Sequence, residues 1–83
     1  MPSAYVLLNV SNGAEDEVLK EAKKTGNVQE VFVSYGAYDL IVKATADTMA
    51  ELKEIVTYKL RTINNVTSTL TLMLNDEEKG VGT

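Results

Sequence analysis

An α+β sandwich of order β-α-β-β-α-β, with both helices on one face of a four-stranded antiparallel sheet, is the fold this sequence predicts. Three observations predict it. Short runs rich in Val, Leu, Ile, Tyr and Thr alternate with two longer segments whose apolar residues recur every three to four positions. The two middle runs follow one another directly, joined only by Gly36-Ala37. Right-handed crossovers then bring both helices to the same side of the sheet, the ferredoxin-like arrangement.

The elements follow in order. Ala4 to Val10 is apolar except for Asn9 and reads as a strand, punctuated by Ser11-Asn12-Gly13. Glu15, Asp16 and Glu17 open a helical segment that closes with Lys20, Lys23, Lys24 and Gly26. Acid first and base last complement the helix dipole, and Gly26 reads as the residue that ends the helix. Ala14, Val18, Leu19 and Ala22 form its apolar stripe. Val28 to Tyr35 and Tyr38 to Ala44 read as a hairpin, with Gly36 first in a two-residue type II′ connection. That register sets Val33 opposite Leu40, Phe32 opposite Ile41, Val31 opposite Val42, Glu30 opposite Lys43 and Ser34 opposite Asp39, so like meets like and Glu meets Lys.

Asp47 to about Ile63 reads as the second helix, through Met49, Leu52, Ile55, Val56, Leu60 and Ile63. Thr48 and Glu51 have capping-box spacing, and Asp47 is an equally good cap; Asn64-Asn65 ends the helix. Val66 to Leu74 is the last strand. The folded domain is expected over residues 1–75, with 76–83 as a polar, flexible tail.

At 83 residues the chain is one domain, and such a domain buries only about 60–65% of the surface it exposes when unfolded. Disulfides, metals or partner subunits usually supply the rest. The sequence has no Cys and no His, which removes disulfides and the usual zinc and transition-metal ligands; no metal or cofactor is expected. Homo-oligomerisation is left. The sheet pattern supports it. Val31, Val33, Leu40 and Val42 are the better core set in the hairpin. Ala4, Val6, Leu8 and Val10 share one side of the first strand. In the last strand Val66, Ser68, Leu70, Leu72 and Leu74 are expected on the helix side, with Thr67, Thr69, Thr71 and Met73 opposite. The open face then presents Tyr5, Leu7, Phe32, Ile41 and Met73, an apolar patch suited to sheet-to-sheet dimerisation.

Several function classes are disfavoured. The net charge of −4, with no local basic patch, disfavours direct DNA binding. No run approaches the 18 or so apolar residues that span a membrane. The N-terminus lacks a signal peptide's charged region, so a cytoplasmic location is expected. Without His or Cys no Ser-His or Cys-His nucleophile can be built. Glu15-Asp16-Glu17 is dipole complement, Asp76-Glu77-Glu78 lies in the tail, and the glycines are isolated, without a phosphate loop.

The hairpin tip carries the remaining chemistry. Tyr35-Gly36-Ala37-Tyr38-Asp39 gathers two aromatics, a glycine and a carboxylate. Turn N–H groups at Gly36 suit an α-carboxylate, and Asp39, with Ser34 on its face, suits an α-ammonium. The same residues also fit a purely structural turn, in which Gly36 supplies a positive φ, the tyrosines pair across strands and Asp39 bonds turn N–H groups.

Gly36-Ala37-Tyr38-Asp39-Leu40-Ile41-Val42-Lys43 resembles the G-x-Y-D-apolar-apolar strand of the Lrp/AsnC family's effector domain, and Val66-Thr67-Ser68-Thr69-Leu70-Thr71-Leu72 resembles the strand that closes it. The resemblance runs from Tyr5 to Leu74. It implies a βαββαβ effector (RAM) domain that dimerises through its sheets, with dimers joined into rings. It implies amino-acid binding between dimers near the hairpin, so that Tyr35, Gly36, Ala37, Tyr38 and Asp39 become ligand-site candidates, with Ser68 and Thr69 contributing from the last strand. Full-length members carry an N-terminal helix-turn-helix. This chain starts at the first effector strand and resembles the family's stand-alone modules, so any role in transcription is expected to run through mixed assembly with full-length relatives. The alternatives are a small dimeric enzyme of the cofactorless monooxygenase type and a purely structural assembly subunit.

Overall fold

A computed structural model of the chain describes residues 1–74, so the expected tail over 76–83 lies outside the described residues. Strand β1 spans Ser3–Val10, helix α1 Glu15–Lys24, β2 Val28–Val33, β3 Leu40–Thr45, helix α2 Met49–Ile55, continued without a break by a π-helical turn over Val56–Leu60, and β4 Val66–Leu74. The four strands form one antiparallel sheet, as predicted, and lie in the order β2-β3-β1-β4.

Local chemistry sets the boundaries. Gly13 turns the chain into α1 at φ +88°, where a Cβ meets no neighbour but the backbone itself disfavours one. Residue Ala14 caps α1 without a side-chain bond, and Glu15, Asp16 and Glu17 supply the negative charge there instead. The helix ends at Thr25 in extended geometry, so Thr25 and not Gly26 terminates it, and Gly26 takes no left-handed φ. Thr48 is the α2 cap: its hydroxyl accepts from the Glu51 N–H at 3.1 Å, while the Glu51 carboxylate accepts from the Asp47 N–H at 3.3 Å. After the π turn, Asn65 takes a left-handed φ of 76° and leads into β4, a conformation Asn tolerates better than most residues.

The core lies between the helices and the sheet. Ala4, Val6, Leu8 and Val10 of β1 and Leu40, Val42 and Ala44 of β3 pack against Val18 and Ala22 of α1 and Leu52, Ile55, Val56 and Leu60 of the second helix. The hairpin register matches the expected one at Val33↔Leu40, Phe32↔Ile41, Val31↔Val42 and Glu30↔Lys43, then shifts at a bulge so that Val28 meets Ala44.

From Ser68 onward the last strand is reversed relative to expectation, while Val66, paired with Val10 before the bulge, packs against the core as expected. Leu8 pairs with Thr69, Val6 with Thr71 and Ala4 with Met73, so Thr69, Thr71 and Met73 share the helix side with the β1 core residues. Leu7 pairs with Leu70, Tyr5 with Leu72 and Ser3 with Leu74, which puts the three leucines and Ser68 on the open face. A one-residue change of register exchanges every side chain between faces, and the buried alternation of β1 leaves no freedom in that choice. The open face is therefore more apolar than the sequence suggested. Phe32, Leu70, Leu72 and Leu74 are 47, 45, 48 and 39% exposed, beside half-buried Tyr5, Leu7 and Ile41. Lys43 extends over the Tyr5 ring, 5.9 Å from its centroid. Among the described residues no helix is long and apolar enough to cross a membrane.

Candidate functional site

The hairpin tip is longer than a two-residue turn. Strands β2 and β3 stop at Val33 and Leu40. The Ser34 N–H donates to the Asp39 carbonyl at 2.8 Å, the last bond across the hairpin, and Tyr35, Gly36, Ala37 and Tyr38 project beyond it. Gly36 does not take a positive φ, so the type II′ turn is not formed. The reason lies in Asp39. Its N–H donates to the Leu8 carbonyl at 2.9 Å, and its Oδ2 accepts from the Val10 N–H at 3.0 Å. Both bonds tie the base of the tip to β1 and draw Tyr35 and Tyr38 out of cross-strand pairing.

Asp39 is half-buried, and its carboxylate closes the last amide of the central strand. Among the described residues its second oxygen takes no hydrogen bond. Beside it, a cleft of about 330 Å³ runs between the start of α1 and the hairpin, lined by Glu15, Asp16, Val33, Ser34, Tyr35 and Asp39. Three carboxylates around one cleft favour a cationic group. Among the described residues no His, Cys, Asp or Glu cluster has the arrangement of a metal site. Tyr35 is 97% exposed and offers its whole ring at the rim.

The expected site residues divide into two places. Tyr35 and Asp39 line the cleft together, with Ser34; Gly36, Ala37 and Tyr38 lie at the tip beyond its lining. Ser68 and Thr69 line a separate hollow with Arg61, Val66 and Thr67. They sit on the far side of β1 from the hairpin, since β1 pairs with β3 on one edge and β4 on the other. Ser68 accepts from the Asn9 side-chain amide at 3.2 Å on the open face, and Thr69 faces the helices. In the sequence Glu15 and Asp16 carry only the pattern of helix-dipole complement. No periodicity places a helix start beside a hairpin, so their part in the cleft was out of reach from sequence.

A family model described as the Lrp/AsnC ligand binding domain matches residues 3–80. No curated protein matches the chain. Among solved structures, FFRP-DM1 is 35% identical with a TM-score of 0.86, the match covering 90% of this chain and 100% of that one. Hypothetical protein PHS023 from Pyrococcus horikoshii is also 35% identical, with a TM-score of 0.85 and 90% of each chain covered. The transcriptional regulator NMB0573 from Neisseria meningitidis, solved as its L-Met complex, is 18% identical with a TM-score of 0.80. That match covers 94% of this chain and 52% of the regulator, and the likeness is one of fold.

Proposed function

The chain belongs to the Lrp/AsnC ligand-binding domain family, and from that premise we propose that it is an amino-acid-binding regulatory module acting as a homo-oligomer, not an enzyme. The observation that carries the reading is the Asp39 carboxylate, held half-buried at the cleft by the Val10 amide with one oxygen left to accept. An α-ammonium group fits there, drawn by Asp39, Glu15 and Asp16 and bonded by the Ser34 hydroxyl. Backbone N–H groups of Gly36 and Ala37 at the exposed tip suit the α-carboxylate, and Tyr35 and Tyr38 bound the side chain. That NMB0573 was solved with L-Met supports the ligand class.

The open face supports assembly. A contiguous apolar surface containing Phe32, Leu70 and Leu72 is large for a lone subunit, and a second copy of the sheet covers it. Ser68 and Thr69 lie a strand away from the hairpin within one subunit and on opposite faces of β4, so of the two it is Thr69, outside the sheet-to-sheet contact, that would reach a ligand from another copy in a site between dimers of a ring. The module would act in the cytoplasm on full-length regulators of the same family, and its net charge of −4 argues against its binding DNA directly.

Calorimetric titration of the assembled protein with each of the twenty amino acids tests the reading. Asp39→Asn is the discriminating variant, because its amide oxygen still accepts from Val10 while the charge is gone. A selective amino acid is expected to bind, and Asp39→Asn to weaken it about tenfold or more. Wild-type affinity in that variant would remove Asp39 from the site, and no binding of any amino acid would leave an assembly subunit.

A further inference from the structure

On the opposite edge of the sheet lies a groove of different character, about 350 Å³, between the second helix and β4. Its lining is Lys53, Val56, Thr57, Arg61, Thr69 and Thr71. Two cations and three hydroxyls converge there and no carboxylate does, in a chain whose acidic residues outnumber basic ones 12 to 8. Among the described residues neither Lys53 nor Arg61 forms an ion pair. Threonines 69 and 71 point toward the helices, not to the open sheet face. A sheet-to-sheet dimer therefore leaves this groove uncovered.

The helix wall is built abnormally at this position. The turn over Val56–Leu60 is π-helical, and the Arg61 N–H reaches back five residues to the Val56 carbonyl at 3.0 Å. In a continuous α-helix, residues eight apart such as Lys53 and Arg61 diverge by about 80° around the axis. The wider π turn advances fewer degrees per residue and swings Arg61 back over Thr57 toward Lys53. Such turns are rare and frequently accompany functional sites.

We propose that the groove between the π turn and β4 is a binding site for a small oxyanion, a phosphate or a carboxylate. Arg61 and Lys53 supply the charge, and the hydroxyls of Thr57, Thr69 and Thr71 supply neutral donors. The planar guanidinium of Arg61 presents paired donors that match two oxygens of such a group. Val56 forms the apolar floor. The groove is separate from the hairpin cleft, and Thr69 is the one residue it shares with those proposed for the amino acid.

The test is calorimetric titration of the full chain with inorganic phosphate and, separately, with succinate, against sodium chloride matched in ionic strength. The tighter of the two identifies which oxyanion the groove prefers. Saturable binding is expected, and Arg61→Gln and Lys53→Gln are each expected to weaken it about tenfold. Both residues are exposed, so the fold is retained. Lys20→Gln, on the other helix, and Asp39→Asn are expected to bind the anion as the wild type does. Wild-type affinity in Arg61→Gln and Lys53→Gln, heat reproduced by chloride alone, or no saturable binding of either anion would each overturn the proposal.

Discussion

The two faces of the sheet solve the same problem differently. On the helix side, Ala4, Val6, Leu8, Leu40 and Val42 are fully buried by helices of their own chain. On the open side, Phe32, Leu70 and Leu72 stay close to half exposed, although they are larger than most of the residues that are buried. In the middle of β1, Val6 and Leu8 face the helices while Tyr5 and Leu7 face away, so hydrophobicity alone does not separate the two faces there. What separates them is that the described residues supply a cover for one face and none for the other. The first face specifies the fold, and the second is the surface proposed above as an interface.

That contrast can be broken by experiment. The largest effect is expected on the covered face: Leu8→Ala empties a fully buried position between the helices and should cost about 3 kcal/mol, read by urea unfolding. Charge on the open face should act on assembly instead. The double variant Leu70→Lys, Leu72→Lys is expected to lower the sedimentation coefficient to that of a single subunit while the circular dichroism spectrum is kept; an unchanged sedimentation profile would show that this face is not the interface. Asp39→Ala should lower stability by about 1.5 kcal/mol, because the Val10 amide loses its acceptor, and Asp39→Asn should restore most of that loss. The smallest effect is the cap of the covering helix: Thr48→Ala should cost about 1 kcal/mol and leave the oligomeric state unchanged.

Most of the architecture was legible in the residues. The element order, the hairpin pairing from Glu30 to Leu40 and the Thr48 cap follow from period, cross-strand matching and capping chemistry. The face of β4 did not follow. Large apolar side chains are usually buried in a lone chain, which points the β4 leucines inward, and that rule gives way where the pairing partner already fixes the alternation. With Leu8 buried, Thr69 opposite it must face inward too, and Leu70 outward. The π turn left no mark in the apolar periodicity, since Val56 and Leu60 keep the spacing of an α-helix. The hairpin tip was recognised by composition, but its shape depends on two bonds from Asp39 to Leu8 and Val10, about thirty residues back along the chain. Short-range turn rules contain nothing of that kind. The cleft likewise joins the start of one helix to a distant hairpin, and only tertiary geometry brings Glu15 and Asp16 to Asp39.

The Asp39 clasp on Val10 also links the hairpin to events in the middle of the sheet. A cation that pulls the carboxylate outward competes with an amide at the end of β1, next to the irregularity between Asn9 and Val10. One that settles on the spare oxygen instead leaves the clasp intact and quiets the strand end. Hydrogen exchange at a single backbone position, Val10, would therefore report occupancy at the tip without any label on the ligand. By thermodynamic reciprocity, a ligand at the proposed hairpin site would feel in equal measure whatever loosens or tightens that strand end.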